Sequence, residues 1–188
     1  WFDHHGFEQA AVSPEPTLAL EVRVNRARPE FEFLEPVVIE LKVKNATSQP
    51  ILVDANLLSG GEGLTLIIKK HGNPARQWHP FAKACLQPEV RVLQPGEAIY
   101  QSIFAGVGTN GWDLAEPGRY TIQACLTRDG EDVVSKPLAL RIAPPRGHDE
   151  EYLAQDVFTE AVGRVLAFDG SRELVEASAA LREVTAKL

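Results

Sequence analysis

Methionine is absent from all 188 residues, the first included. A chain opening at Trp1 is expected to be a processed form or a fragment of something larger. Long apolar runs are also missing. None approaches the roughly 18 residues that span a bilayer, so membrane insertion is not expected. The opening WFDHHGFEQA lacks the basic region and apolar stretch of a signal peptide, although a signal on the parent protein stays compatible with that. Lys and Arg are dispersed, with no run to hold a membrane surface. They number 19 against 26 acidic residues, for a formal net charge of -7. Such a chain has no field for gathering phosphates, so nucleic acid is not an expected partner. Cysteine is scarce. Cys85 and Cys125 leave two readings open: one disulfide in an oxidising compartment, or two free thiols in a reducing one.

What is present is an ordinary globular composition, 44% hydrophobic and 24% charged. The chain is long enough to need neither metal nor disulfide for stability. Period-two alternation dominates its first three quarters. Leu18, Leu20, Val22 and Val24 share one face of a strand; Glu21, Arg23 and Asn25 share the other. Val37, Ile39, Leu41 and Val43 oppose Glu40, Lys42 and Lys44 in the same way. One dry face and one wet face indicate antiparallel sheet. Further strands are expected near 51–54, 64–70, 75–79, 89–93, 97–104, 119–126 and 133–142.

Turn residues separate these runs. Pro95-Gly96 and Pro117-Gly118 each stand just ahead of a strand. Pro presets φ at the first central position of a turn, and Gly supplies the positive φ of a type II turn at the second. Asp129-Gly130 between two strand patterns suits a hairpin. About nine short strands in this spacing predict an immunoglobulin-like antiparallel β-sandwich. Tyr120, directly after Glu-Pro-Gly-Arg, fits the tyrosine corner of such folds, or else an ordinary half-buried Tyr at a strand start.

The pattern breaks at Ala143-Pro-Pro-Arg-Gly, where two prolines end the last strand and stiffen a linker. Beyond it, Leu153, Val157, Ala161, Val165 and Phe168 recur at helical spacing. Asp149 is the expected N-cap and Gly170 the stop. Ser171 would cap a second helix carrying Leu174, Ala177, Leu181, Val184 and Leu188. The expected layout is therefore an N-terminal segment at 1–13, the sandwich at 14–143, and a C-terminal α-helical hairpin at 144–188 that begins a longer helical region.

Chemistry-bearing clusters are few. Asp3, His4 and His5 are the candidate metal ligands, but adjacent residues rarely converge on one ion, and a polar terminal segment explains them as well. His71, His79 and Cys85 match no zinc spacing. No catalytic residue and no cofactor site is assigned: Gly-x-Ser-x-Gly is missing, and Ser59-Gly60-Gly61-Glu62-Gly63 lacks the Lys of a phosphate loop. Glu30, Glu32 and Glu35 read as a solvated loop. Asn45-Ala46-Thr47 is a glycosylation sequon that also reads as a turn. The loops at 71–88 and 105–116, with His71, Trp78, His79, Phe81 and Trp112, are the candidate partner-binding surface. Trp112 serves either as a partner anchor or as a plug for one end of the sandwich.

The runs EPVVIELKVKNATSQPILVD, GLTLIIKKHGNPARQWHP, LQPGEAIYQSIFAG and EPGRYTIQACL together resemble a widespread bacterial immunoglobulin-like domain. Over Val37 to Leu126 they are similar to the bacterial intracellular proteinase inhibitor family. The resemblance implies a sandwich; no reactive-site residue maps onto this chain. The expected function is a non-catalytic interaction or structural module of a larger bacterial protein, secreted or in the envelope. It would bind another protein or a neighbouring domain of the same polypeptide. The alternatives are a proteinase inhibitor and an accessory domain of an enzyme whose catalytic part precedes residue 1.

Overall fold

The computed structural model describes residues 15–59, 63–81, 87–168 and 175–187. Thirteen strands and three helices follow one another in these segments: β1 Leu18–Arg23, β2 Glu30–Phe31, β3 Val38–Asn45, β4 Ile51–Asp54, β5 Leu64–Lys70, β6 Arg76–Trp78, β7 Val90–Leu93, β8 Ala98–Phe104, β9 Val107–Gly108, β10 Gly111–Trp112, β11 Gly118–Arg128, β12 Glu131–Val134, β13 Leu138–Ile142, α1 His148–Val157, α2 Glu160–Ala167 and α3 Val175–Lys187. The fold is mostly β, and the pairing is antiparallel except where β2 runs parallel to β13.

One sheet has the order β1-β3-β8. The larger has the order β2-β13-β11-β5-β6, with β12 also on β11, while β4-β7 and β9-β10 form two-stranded ribbons. The alternation read from sequence sets the inward faces. Leu18, Leu20 and Val22 of β1 and Ile39, Leu41 and Val43 of β3 meet Leu66, Ile68, Tyr120, Ile122, Ala124, Leu126 and Leu140 of the larger sheet in one buried cluster. At about 25 cal/mol per Å² of apolar surface removed from water, this cluster is the main source of stability.

The turns follow from their residues. Asp129 (φ 52°) and Gly130 (φ 80°) both take positive φ. They leave Arg128 opposite Glu131, which makes a two-residue hairpin of the type that matches strand twist. Gly96 has φ 78°, and the Glu97 N–H donates to the Gln94 carbonyl at 2.9 Å, as a type II turn requires. The second Pro-Gly differs. Gly118 is already the first residue of β11, opposite Ile142; the chain needs Gly there because its φ of 147° is a backbone conformation that L side chains rarely adopt.

Three further expectations are corrected. The run 133–142 is two strands, because Pro137 has no N–H for a ladder. Ser135 marks the break, accepting from the Ala124 N–H at 2.9 Å through Oγ. Within the acidic loop Glu30 joins β2, while Glu35 pairs with Arg26 and accepts the Glu32 N–H at 2.9 Å. The helical stretch from 149 to 168 is two helices. Thr159 is extended (φ -93°, ψ 157°) and its hydroxyl accepts the Val162 N–H, so a cap inside the apolar stripe restarts the helix. Asp149 lies inside the first turn of α1 and Gly147 holds the cap position. Ser171, Gly170, Leu174 and Leu188 lie outside the described residues.

A second apolar cluster joins these helices to the rest. Phe33 and Leu34 pack with Leu153, Val157, Val162, Val165, Ala177 and Val184.

Candidate functional site

The two candidate loops meet in space. The Trp78 indole N–H donates to the Val107 carbonyl at 3.0 Å, and the Thr109 N–H donates to the His79 carbonyl at 2.8 Å. Gly108 makes this approach achievable, since a Cβ there would lie 2.1 Å from the His79 oxygen. Thr109 and Asn110 are left as an exposed tip between β9 and β10. Trp112, on β10, donates its indole N–H to the Thr159 carbonyl at 2.9 Å. Its ring packs edge-on against Phe158 at 5.0 Å and Phe104 at 6.2 Å, and Phe158 in turn packs against Phe33 at 5.7 Å.

Three of the five partner-binding candidates are therefore engaged within the chain. Trp78 and Trp112 spend their N–H groups on backbone carbonyls. Phe81 lies 6.4 Å from Phe168 and under the Arg164 guanidinium at 5.6 Å. His79 and His71 remain exposed, and they are apart: His79 belongs to the loop cluster, while His71 continues β5, donating its N–H to the Arg119 carbonyl at 2.8 Å.

His71 leads to a feature that sequence order conceals. A cleft of about 720 Å³ lies along β11, β5 and β13 and is lined by Arg28, Lys69, His71, Arg119 and Arg141. The strand registers build it. Arg119 stands directly opposite Arg141, and Thr121 opposite both Lys69 and Ala139. Thr121, Ala139 and Gly72 are small residues that leave space among the cations. Glu30, opposite Arg141 on β2, is the one carboxylate among the described residues that line the cleft. Most other cations are paired within the chain: Arg23 with Glu40, Arg26 with Glu35, Lys42 with Glu21, Lys70 with Glu116, Arg91 with Glu97, Arg128 with Asp129, Arg146 with Glu32 and Arg164 with Glu160. Arg28, Lys69, Arg119 and Arg141 have no ion pair with a described carboxylate.

Burial perturbs three acids. Asp113 carries an Oδ2 with no hydrogen-bond partner. Desolvation raises its pKa, against the opposing charges of Arg76 and His79. Tyr120 is buried and its hydroxyl donates to the Glu116 carbonyl at 2.7 Å, the bond expected of a tyrosine corner; burial pushes it up to about 12. Cys125 is a buried free thiol pushed up to about 11, chiefly by desolvation. A thiol so protonated is a poor nucleophile. Cys85, its partner in the disulfide reading, lies outside the described residues, as do Asp3, His4 and His5. Among the described residues no group of three or more His, Cys, Asp or Glu side chains is placed to hold a metal ion. No described helix is long and apolar enough to cross a membrane.

No family model matches the chain, and no curated protein does. Solved structures share a partial likeness. A β-glucosidase from Listeria innocua in complex with glucose is 13% identical, with 68% of this chain and 16% of that chain covered at a TM-score of 0.36. The CARDB domain of a Pyrococcus furiosus protein in complex with di-metal ions is 12% identical, with 68% and 94% covered at 0.35. The alkylpurine DNA glycosylase AlkC of Pseudomonas fluorescens, bound to DNA containing an abasic site analog, is 11% identical, with 68% and 31% covered at 0.37. The chain thus spans less than a fifth of the glucosidase's length. The strand pairing, not these likenesses, defines the fold.

Proposed function

We propose that this chain is a non-catalytic interaction module of a larger protein, secreted or in the cell envelope. In this reading an immunoglobulin-like sandwich spans 14–143 and carries the helical segment 144–188 docked on one end. The Tyr120–Glu116 bond and the shared core of the two sheets support the fold. The single observation that carries the function is the cationic cleft. Four cations gather without an ion pair to any described carboxylate, on a chain whose net charge is -7. Like charges directly opposite on a sheet are destabilising, so keeping Arg119 against Arg141 works against stability. A binding role accounts for that cost.

Cation-exchange chromatography of the purified chain tests this. A protein of this net charge should pass through a sulfonate matrix at neutral pH. Retention of the parent, lost in the Arg119→Gln/Arg141→Gln variant, is the expected result. Flow-through of the parent would overturn the reading.

A second reading, proteinase inhibition, has one observation in its favour: the Thr109–Asn110 tip is braced on its β9 side, where Trp78 donates to the Val107 carbonyl and Thr109 donates to the His79 carbonyl. A rigid exposed loop is what an inhibitor needs to resist productive cleavage. Titration against serine, cysteine and metallo-proteinases decides it. Stoichiometric loss of one activity with the chain intact would favour inhibition over the module.

A further inference from the structure

We infer that the cationic cleft takes an extended, carboxylate-rich peptide segment of a partner protein. The inference rests on reading the chain as a binding module and adds the chemistry of the ligand. The strand registers place the cleft's polar side chains on a grid. One row runs His71, Arg119, Arg141, Glu30; the next runs Lys69, Thr121, Ala139. Neighbours within a row stand about 5 Å apart at Cβ, and same-face rows lie about 7 Å apart along the strands.

An extended peptide presents its own alternate side chains at that same spacing of about 7 Å. Carboxylates at positions i and i+2 therefore meet both rows when the peptide lies along the strands. The first falls between Arg119 and Arg141, whose planar guanidinium groups suit bidentate carboxylate recognition. The second reaches the Lys69 ammonium and the Thr121 hydroxyl. Thr121, Ala139 and Gly72 leave the space that a peptide backbone needs. The cleft's volume of about 720 Å³ exceeds what one small oxyanion would fill.

Two features set the length and class of the ligand. Glu30 closes the first row beyond Arg141 and repels any anion continuing past it. The remaining surface is acidic, so a long polyanion pays repulsion along most of its length, whereas a segment with two or three carboxylates is screened from it beyond about 8 Å at physiological salt. A short acidic peptide fits this arrangement better than a nucleic acid does.

The test is fluorescence anisotropy of the full chain with a labelled alternating Glu-Ser peptide, its Gln-Ser counterpart, and an oligothymidylate. The expected result is saturable binding of the Glu peptide only. Its affinity should fall by roughly tenfold or more between about 0.01 and about 1 M salt, as the screening length shrinks from about 30 to about 3 Å. Arg119→Gln/Arg141→Gln should weaken binding by roughly tenfold or more, with a melting point no lower than the parent's. Lys44→Gln/Lys136→Gln, which removes the same two charges at exposed positions outside the cleft, should leave binding unchanged. Equal binding of the Glu and Gln peptides, or unaltered binding by the double variant, would overturn the inference. So would displacement of the peptide by equimolar inorganic phosphate, which assigns the cleft to a small oxyanion, or tighter binding of the oligothymidylate. Retention on the sulfonate matrix without peptide binding would remove the peptide assignment and leave the module intact.

Discussion

The Trp112 indole donates to the Thr159 carbonyl across 47 residues of sequence, and that carbonyl belongs to the residue that caps α2. One side chain thus joins the β9-β10 ribbon to the point where the helical segment changes direction. Trp112→Phe keeps a ring against Phe158 but removes one of two donors to the Thr159 carbonyl, which still accepts the Gly163 N–H at 3.1 Å. The expected loss is about 0.5–1.5 kcal/mol. Trp112→Ala also removes the aromatic packing and should cost about 3–5 kcal/mol. Urea denaturation measures both. Hydrogen exchange should rise first in α1 and α2, and uniform exchange across the chain would contradict this placement.

Gly163 lies inside α2, where alanine is ordinarily better by about 1 kcal/mol. Here the sign should invert. A Cβ at 163 would lie 2.7 Å from Val107 Cγ2, and Val107 is buried. Gly163→Ala is expected to destabilise by about 1–3 kcal/mol through overpacking. Val107→Ala combined with Gly163→Ala should recover part of that loss, which a double-mutant cycle would register as coupling.

Alkaline stability should fall in two overlapping steps. Cys125 titrates at about 11 in the fold against an ordinary 9.0, and Tyr120 at about 12 against 10.0. A raised pKa in an acid means the fold favours the protonated form. That contribution is complete below the ordinary value and lost as pH climbs through the folded one. Cys125→Ala should therefore flatten the pH dependence between about 9 and 11, and Tyr120→Phe between about 10 and 12. Parallel profiles for parent and variants would contradict the burial of these groups.

Asp113 carries the same sign at the acid end. Its pKa is raised from 3.8 by desolvation, so the ionised carboxylate that prevails at neutral pH weighs against the fold. Asp113→Asn is expected to raise the melting temperature at pH 7 and to change it little near pH 3. A variant less stable than the parent at pH 7 would instead show that Arg76 and His79 outweigh burial.

Alternation and turn chemistry made the strands legible because both are local. β1, β3, β5, β8 and the Asp129-Gly130 hairpin follow from a few neighbouring residues each. The short strands β2, β9 and β10 carry two residues apiece, too few for a period to show. Thr159 interrupts an apolar stripe that reads as continuous, since a hydroxyl cap leaves no mark on hydrophobic spacing. The cleft was hidden for a different reason. Arg28, Lys69, Arg119 and Arg141 are scattered along the chain, and a search for basic runs finds none; only the strand register brings them together. The loop candidates were found by position, yet Trp78 and Trp112 turned inward, because a buried indole must satisfy its N–H.

Asn45 has a consequence for the chain's manufacture. Its amide donates to the Gln49 and Leu93 carbonyls at 2.8 and 2.9 Å, and its oxygen accepts from the Thr47 N–H at 2.8 Å. The residue is 1% exposed. The sequon at 45–47 is therefore closed to a glycan once the sheets have formed. In a eukaryotic secretory pathway, sugar transfer and folding would compete for the same nitrogen atom. A glycan attached first would bar Asn45 from its place beside β7, so each molecule would leave that pathway either bare and folded or sugared and unable to close.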